Sequence, residues 1–260
     1  MAADAQNLMN FERRVFSQNG EDGVIEETFR RIGTTNRFFV ELGCGNGIEN
    51  NTRLLLEAGG WTGLWVDGDG ANVEEARRLH HGRSVRIRNE FIRRDNIVTI
   101  VESEHVPSDF DLLIIDIDGN DYWIWQALRA YRPRVVVIEY NATYVPGRTW
   151  IMPYNSNHRF DGTRHYGASL DALVDLGQRL GYSLVGCESV GVNAFFVRCE
   201  LIGGKFIGGT ANVHYSCPKH KALFFGHPSG KGPWLERGWG WGTEDKFLQE
   251  LATRESLRRK

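Results

Sequence analysis

Short apolar runs alternate with amphipathic stretches along residues 24–200, and this pattern predicts strands and helices in alternation. The predicted strands begin near Phe38, Gly63, Ser84, Phe110, Val135, Tyr182 and Asn193. The predicted helices cover 24–32, 50–58, 71–80, 123–129 and 170–180. Strands that alternate with helices form a parallel sheet, whereas the last two strands are separated by a turn at Gly191 and predict a hairpin. We therefore expect an α/β fold with a doubly wound, mostly parallel, seven-stranded sheet.

Composition divides the chain into three segments. Residues 1–35 predict an N-terminal helical cap, and residues 36–200 predict the sheet domain. Residues 201–260 form a C-terminal extension in which glycine, proline and tryptophan alternate over 226–242 and an amphipathic helix is predicted over 244–257. This extension either wraps the domain or a partner subunit, which would suit a homodimer, or forms an arm that shapes a substrate pocket.

Charge and cysteine content limit which binding partners and which cellular compartment we expect. Of the 260 residues, 25% are charged and the formal net charge is −2, which gives no electrostatic reason to expect nucleic acid as a partner. No apolar run reaches the length that spans a membrane, and the N-terminus lacks the apolar core of a signal peptide. The four cysteines are scattered, without the spacing of a disulfide framework or a zinc site. We therefore expect a cytoplasmic protein that acts on a small molecule.

The end of the first predicted strand has the residues of a nucleotide-type cofactor site. Residues 41–47 read Glu-Leu-Gly-Cys-Gly-Asn-Gly, and a predicted helix follows. Alternate glycines allow positive φ and let a ligand approach the backbone, while the N–H groups of the following helix face the same crevice. A dinucleotide fingerprint would place its third glycine at position 48, where this chain has isoleucine. The candidate cofactor residues of this loop are Glu41, Gly43, Gly45, Asn46 and Gly47.

Other candidate cofactor residues follow the next three strands. Asp67 follows the second strand, where an acid can accept hydrogen bonds from both ribose hydroxyls, and Asp69 is the alternative. Phe91 follows the third strand and is a candidate for stacking on adenine, although an aromatic residue of the core fits the pattern equally well. Asp116 ends the fourth strand and is expected at the same edge of the sheet.

Carboxylates crowd the ends of the fourth and fifth strands. Three aspartates, Asp116, Asp118 and Asp121, lie within six residues, and Glu139 and Asn141 follow the next strand. Carboxylates this close repel unless a cation or a bound substrate neutralises them. Asp118, Glu139 and Asn141 predict a catalytic site around a bound substrate or around a metal ion, and such oxygen ligands suit Mg²⁺ or Ca²⁺. The alternative is that these groups bind the cofactor, the substrate or backbone amides without an ion.

The stretch between the fifth strand and the helix at 170–180 is predicted to be a lid or a binding loop. Residues 142–168 show little periodicity and contain several aromatic side chains. His165 and Tyr166 near its end are candidates for a base that removes a proton from a substrate hydroxyl. Packing and helix capping explain these two residues equally well.

Residues 17–198 resemble class I S-adenosylmethionine (SAM) dependent methyltransferases, most closely the FkbM-like group. The motifs that match are residues 41–47, Asp67-Gly68-Asp69 and Ile115 to Gly119. At 118–121 the chain reads Asp-Gly-Asn-Asp, where the group more usually carries valine, glutamate and glycine.

The resemblance implies a Rossmann-like methyltransferase fold with SAM as the cofactor, while Mg²⁺ remains a candidate from the carboxylates alone. Glu41 would face the methionine amino group, the glycine loop would lie under the cofactor, and Asp67 would bind the ribose. The turn at 17–23 would lie over the methionine end, with Gln18 or Glu21 in contact with it. The alternative for this turn is a helix start that Asp22 caps.

Three functions remain open at this point. The first is a methyltransferase that acts on a small-molecule hydroxyl or amine of the natural-product or sugar type. The second is an enzyme that cyclises SAM or transfers another of its sulfonium substituents, with release of methylthioadenosine. The third is a non-catalytic protein that binds SAM or another nucleotide.

Overall fold

The computed structural model describes residues 6–218, and its centre is one seven-stranded sheet. The strands are β1 (Phe38–Leu42), β2 (Thr62–Asp67), β3 (Val85–Asn89), β4 (Leu112–Ile115), β5 (Val135–Glu139), β6 (Tyr182–Cys187) and β7 (Asn193–Arg198). Their order across the sheet is β3–β2–β1–β4–β5–β7–β6. The first five are parallel, whereas β7 runs antiparallel to both β5 and β6. The predicted fold class is confirmed.

The parallel centre of the sheet is covered on both faces, which explains why its strands are almost wholly apolar. Every residue of β1, β4 and β5 is buried. The predicted and observed bounds of β5, β6 and β7 coincide. Polar residues enter only where the strands end, and those ends carry the candidate site.

Helices cover the two faces of the sheet. They are α1 (Glu21–Ile32), α2 (Arg53–Ala58), α3 (Gly70–Leu79), α4 (Ile97–Ser103), α5 (Asp121–Ala127), α6 (Leu170–Leu180), α7 (Cys199–Ile202) and α8 (Ala211–His214), and a 3₁₀ helix covers Leu8–Phe11. The sequence analysis did not predict α4, whose first residues read Ile-Val-Thr-Ile-Val and favour a strand by local propensity. Burial against the sheet overrides that propensity, since Ile97, Ile100 and Val101 are all in the core.

The predicted cap of the first helix is wrong. Helix α1 begins at Glu21 after Gly20, whose φ is +110°. Asp22 therefore lies inside the first turn, and its Oδ2 accepts hydrogen bonds from the backbone N–H groups of residues 15–17 at 2.7–2.9 Å. Asp22 folds the segment before the helix instead of capping the helix itself.

Alternating side chains of the strands build two hydrophobic cores. One core contains Phe39 and Trp65 of the sheet together with Val24 of α1 and Leu55 of α2. The other contains Val40 and Leu64 together with Ile97 of α4, Trp125 of α5 and Leu173 of α6. This two-sided packing holds the carboxyl ends of the parallel strands in a fixed relation.

Only the first part of the C-terminal extension lies among the described residues. Gly209 forms an isolated β-bridge with Leu184 of β6, and the Tyr140 hydroxyl donates a 2.8 Å hydrogen bond to the Ser216 carbonyl. The glycine- and tryptophan-rich stretch 226–242 and the helix predicted over 244–257 lie outside the described residues. Within residues 6–218, no helix combines the length and the apolar character needed to cross a bilayer.

Candidate cofactor and substrate site

An open cavity of about 710 Å³ lies at the carboxyl ends of the parallel strands. Ligands of doubly wound folds bind at this edge of the sheet. The predicted site residues that line the cavity are Gly43, Gly45, Asp67, Phe91, Asp116 and Asp118. The fold thus brings residues that follow β1, β2, β3 and β4 to one place.

Gly43 lies where the chain leaves β1 and passes against the end of β4. Its φ is +87°, and a Cβ at this position would lie 1.7 Å from the carbonyl oxygen of Asp116. Its N–H donates a 2.9 Å hydrogen bond to the Val66 carbonyl. A side chain would fit neither the backbone conformation nor the space, so the contact between the loop and β4 requires glycine.

Asp67 lies at the end of β2, where backbone N–H groups hold its carboxylate. Gly45 N–H donates to Oδ2 and Asp69 N–H donates to Oδ1, both at 2.8 Å. Each oxygen retains a lone pair that can accept from a ribose hydroxyl. The Asp69 carboxylate instead caps α3, where it accepts from the N–H groups of Ala71 and Asn72. The geometry favours Asp67 over Asp69 as the ribose ligand.

The ring of Phe91 faces the cavity. A Cβ on Gly68 would lie 3.0 Å from this ring, so the backbone after β2 packs closely against it. The guanidinium of Arg159, which also lines the cavity, lies 4.7 Å from the ring centroid. Phe91 is therefore a wall of the cavity, as stacking on adenine requires, and not a residue of either core.

Two other residues of the glycine motif support the loop from outside the cavity lining. The Asn46 amide donates a 3.0 Å hydrogen bond to Glu75 of α3. A Cβ on Gly47 would lie 2.8 Å from the Trp65 ring and 3.0 Å from Nε2 of His80. These positions fix the path of the loop, which is a different role from the cofactor contact that the motif predicts.

Glu41 also lies beneath the loop. Its carboxylate accepts hydrogen bonds from the N–H groups of Asn51 and Thr52 at 2.8 and 3.1 Å and from the Thr52 hydroxyl. Burial raises the pKa of Glu41 to about 7, because desolvation outweighs these hydrogen bonds. Glu41 belongs to β1, its carboxylate is bound by the residues that precede α2, and it does not line the cavity.

The first residue of α1, Glu21, acts on the acidic end of β4. This buried carboxylate accepts a 3.0 Å hydrogen bond from the Asn193 amide and a 2.8 Å hydrogen bond from the Asn19 N–H. Burial and neighbouring carboxylates, Glu21 among them, raise the pKa of Asp116 well above its usual range. Gln18 is exposed and Glu21 is buried, and neither of them lines the cavity.

A carboxylate cluster formed by Asp116, Asp118 and Glu139 lies beside the cavity. Each residue contributes one ligand oxygen, and these atoms lie within 4.8 Å of one another. The parallel register of β4 and β5 sets Asp116 next to Glu139. Asp116 and Asp118 are half-buried, whereas Glu139 is buried. The predicted set was Asp118, Glu139 and Asn141. In the structure, Asp118 and Glu139 lie together as predicted, but the third member of the cluster is Asp116 instead of Asn141.

Asn141 instead holds the long segment 142–168 against the sheet. Its amide Nδ2 donates to the carbonyls of Arg164 and Tyr166 at 2.8 and 2.9 Å. Its Oδ1 accepts from the N–H and the hydroxyl of Thr143 at 3.2 and 2.5 Å. Because both ends of this buried amide are occupied, the structure does not support the predicted catalytic and metal-binding roles of Asn141.

Burial and repulsion between carboxylates together determine the electrostatics of the cluster. Burial, followed by the charges of Asp116, Asp118 and Asp121, raises the pKa of Glu139 well above its usual range. Oε2 of Glu139 is buried and has no hydrogen-bond partner among the described residues. A buried carboxylate oxygen without a partner is costly.

The turn after β4 is strained and is held by a neighbouring acid. Asp118 has a φ of +54°, which is uncommon for a residue with a side chain. Asp121 accepts hydrogen bonds from the N–H groups of Ile117 and Gly119 at 2.9 and 2.8 Å. Burial raises the pKa of Asp121 to about 6. Strain that the surrounding structure maintains in this way is common at functional sites.

His158 lines the cavity, and the sequence analysis missed it. Its Nε2 lies 3.0 Å from the Asp118 carbonyl oxygen, and a Cβ on Gly119 would lie 2.1 Å from its Cδ2. Because a carbonyl only accepts, Nε2 carries the proton and Nδ1 is the acceptor of the neutral ring. His158 and Asp118 are 40 positions apart in the sequence. The only available signal was its place within the predicted binding loop.

The two residues predicted as bases differ in their surroundings, and neither lines the cavity. Burial and the charges of Glu139 and Asp118 raise the pKa of Tyr166 well above its usual range. The phenolate is therefore disfavoured, and Tyr166 is better suited to donate a hydrogen bond than to accept a proton. The His165 ring packs edge-on against Trp150, with ring centroids 5.8 Å apart.

The chain is similar in structure to several solved SAM-dependent methyltransferases. A methyltransferase from Mesorhizobium loti is 14% identical with a TM-score of 0.44, over 67% of this chain and 95% of that chain. One from Clostridium acetobutylicum is 12% identical with a TM-score of 0.43, over 67% and 89%. A TehB-like methyltransferase from Corynebacterium glutamicum is 14% identical with a TM-score of 0.39, over 67% and 86%.

No protein-family model and no curated protein matches the chain. The sequence identities and TM-scores of the solved structures are too low to assign an activity to this protein. The strand order and the antiparallel β7 give the fold independently. The chain has a Rossmann-like methyltransferase fold.

Proposed function

We propose that the protein is a SAM-dependent methyltransferase that acts on a hydroxyl or an amine of a small molecule. The observation that carries this proposal is the place of the cavity. It lies at the ends of β1 and β4, where the strand order reverses, in a sheet whose β7 is antiparallel. An NAD-type sheet continues instead with parallel strands. Isoleucine at position 48, where a dinucleotide site needs glycine, agrees with this choice.

In this proposal SAM lies across the cavity from β3 to β4. Its adenine stacks on Phe91, and its ribose hydroxyls donate to Asp67. Gly43 and Gly45 let the backbone approach the methionine part. The sulfonium then lies toward Asp116, whose negative surroundings attract its positive charge.

Methyl transfer is an in-line displacement, and much of its catalysis comes from positioning. The acceptor atom bonds to the methyl carbon while the bond from sulfur to that carbon breaks, and S-adenosylhomocysteine leaves. A hydroxyl acceptor must also lose its proton to a base. His158 is our candidate for that base, because its Nε2 is engaged by the Asp118 carbonyl and its Nδ1 can accept. A divalent ion such as Mg²⁺ would assist by lowering the pKa of the bound hydroxyl.

A second candidate is an enzyme that cyclises SAM or transfers another sulfonium substituent. The crowding of carboxylates around Asp116 and Glu139 favours it, because these groups would suit the ammonium group of SAM itself. Incubation with SAM and no acceptor separates the two reactions. Release of methylthioadenosine would support the second candidate, whereas the methyltransferase releases S-adenosylhomocysteine and only when an acceptor is present.

The cofactor is tested by calorimetric titration of the full chain with S-adenosylhomocysteine, with NAD as the control. We expect micromolar binding of S-adenosylhomocysteine and no binding of NAD. Asp67→Ala should weaken that binding at least about tenfold, since both ribose hydroxyls lose their acceptor. Asp175→Ala, a change of an exposed acid on α6, should leave it unchanged. Binding of NAD in place of S-adenosylhomocysteine, or of neither, would remove the proposal.

The sequence motifs support a narrower proposal about the subgroup and the acceptor. We propose that the enzyme is related to the FkbM-like group, on residues 41–47 and on Asp67-Gly68-Asp69, and that its acceptor is a natural product or a sugar. We also propose a cytoplasmic location, which agrees with four cysteines that are all free thiols.

A further inference from the structure

His80 is a buried histidine that the proposed reaction does not use. It is only 5% exposed and directly follows α3, where its backbone N–H donates to the Ala76 carbonyl. Its Nε2 lies 3.0 Å from the carbonyl oxygen of Gly47. Because a carbonyl only accepts, Nε2 carries the proton, and the ring donates a hydrogen bond to the loop that follows β1.

The surroundings of His80 favour the neutral ring. Burial lowers the pKa of His80 and outweighs the hydrogen bond to Gly47, which acts in the opposite direction. The charged groups that act on the ring are Arg53 and Glu57 of α2 and Arg83, and Arg83 forms a 2.6 Å ion pair with Glu57. The Nδ1 atom is buried and has no hydrogen-bond partner among residues 6–218. The ring is therefore bound through Nε2, and the group that it binds is the Gly47 carbonyl.

Trp65 fixes the orientation of the histidine ring. The two rings meet edge to face, with centroids 4.8 Å apart and an angle of 87° between their planes. The indole N–H of Trp65 donates a 2.7 Å hydrogen bond to the Thr52 hydroxyl, which donates in turn to the Glu41 carboxylate. A ring that is buried and held by packing in this way offers its N–H in one direction.

The turn that Cys44 and Gly47 close is held at two points. The Gly47 N–H donates a 3.2 Å hydrogen bond to the Cys44 carbonyl and closes the turn. Inside it, the Gly45 N–H donates to Asp67 at the end of β2, while the Gly47 carbonyl accepts from His80 at the end of α3. Because β2 and α3 are consecutive, one strand–helix unit holds both points of the turn.

We propose that His80 is a positioning residue for cofactor binding. It holds the Gly47 carbonyl, and through the turn it keeps the Gly45 N–H on Asp67, so the ribose site is formed before the cofactor arrives. His80 does not line the cavity, so it acts through the loop and not by contact with the cofactor. This inference rests on the proposed SAM-dependent function.

The proposal is tested on the full chain by calorimetric titration with S-adenosylhomocysteine. His80→Phe keeps an aromatic ring against Trp65 but leaves the buried Gly47 carbonyl without its donor, so binding should weaken at least about tenfold. His80→Gln offers an amide N–H in place of Nε2 and should restore most of the affinity. His81→Gln changes an exposed histidine next to it and should leave the affinity unchanged.

Amide hydrogen exchange separates positioning from a general loss of stability. In His80→Phe the N–H groups of Gly45 and Gly47 should exchange faster, while those of β5 keep their protection. His80→Asn, whose amide is too short to reach the Gly47 carbonyl, should show the same changes and replaces His80→Phe if that variant does not fold. Equal losses of affinity in the phenylalanine and glutamine variants, or faster exchange across the whole sheet, would overturn the proposal.

The two proposals fail in different ways. Wild-type protein that binds S-adenosylhomocysteine, together with an unchanged affinity in His80→Phe, would keep the proposed function and remove the role of His80. Wild-type protein that binds no S-adenosylhomocysteine would remove the proposed function, and the role of His80 in cofactor binding with it.

Discussion

The backbone N–H of Gly45 donates a 2.8 Å hydrogen bond to Oδ2 of Asp67, and this bond ties the loop after β1 to the end of β2. The sequence predicts that Gly45 and Asp67 contact the same cofactor, and this hydrogen bond holds the two residues in position relative to each other. The donor is a backbone group, so the bond depends on the path of the loop, which the close contact of Gly43 with Asp116 sets.

Gly43→Ala is expected to disrupt that path. Its Cβ would meet the Asp116 carbonyl at 1.7 Å, so the loop or β4 must move and the binding of S-adenosylhomocysteine should be lost. For stability, Gly45→Ala is the matched control, since a Cβ there meets no protein atom within 4 Å and only the positive φ costs about 1–2 kcal/mol. Urea denaturation should show a larger loss of unfolding free energy for Gly43→Ala. Equal losses in the two variants would contradict the steric argument.

Glu41 is expected to make folding stability fall as the pH rises from about 4.5 to about 7. Its folded pKa of about 7 lies above the ordinary value of 4.5, so in this window the folded state holds a proton that the unfolded state has lost. The difference between the two pKa values corresponds to about 3 kcal/mol. Glu41→Gln cannot titrate and should flatten the curve in urea titrations. Part of the slope should remain because burial also raises the pKa of Glu188 to about 7.

The same variant tests where Glu41 acts. If Glu41 supports the loop, as its hydrogen bonds to Asn51 and Thr52 indicate, the slope of stability with pH should change more than the affinity for S-adenosylhomocysteine. A collapse of that affinity with an unchanged slope would restore the contact with the methionine amino group that the resemblance implies.

His158→Gln is expected to separate catalysis from structure. Glutamine keeps a side-chain N–H that can donate to the Asp118 carbonyl, but it offers no base, so kcat should fall about 10²–10⁴-fold with a hydroxyl acceptor. The affinity for S-adenosylhomocysteine should stay near that of the wild type. His158→Ala should lose both functions of the ring. A kcat close to wild type in His158→Gln would exclude His158 as the base.

Asn141→Ala is expected to loosen residues 142–168. The change leaves the carbonyls of Arg164 and Tyr166 without their donor, at a cost of about 1–3 kcal/mol. Hydrogen exchange should become faster within this segment and stay unchanged in β1. Asn157→Ala, at an exposed position of the same segment, is the control. Uniform acceleration across the whole domain would indicate global destabilisation instead.

Much of the fold could be predicted because strands that are buried on both faces of the sheet form short apolar runs in the sequence. The bounds of β5 were predicted as observed, since its four valine and isoleucine residues are followed directly by Glu139. Gly43 was equally predictable, because a positive φ is a property of one residue. The missed helix α4 shows the limit of such local signals, since its β-branched residues favour a strand until the sheet covers them.

The candidate site was less predictable because it depends on where distant segments meet. Strand alternation places Glu139 and Asn141 on the same side, yet β5 ends at Glu139 and the amide of Asn141 is taken by residues 164 and 166. His158 reaches Asp118 from 40 positions away, and no spacing in the sequence records that contact. The sequence predicted that the parallel strands bring acidic residues to one edge and that residues 142–168 form a lid or a binding loop. It did not show which residues of that loop meet the site.

The cavity has two walls of different origin. The ends of the parallel strands form one, and His158, Arg159 and Phe160 from the segment 142–168 form part of the other. That segment leaves the sheet after β5 and returns at α6 as one continuous piece. A single exchange of this piece by recombination would therefore change one wall of the cavity while the residues from β1 to β4 stayed as they are.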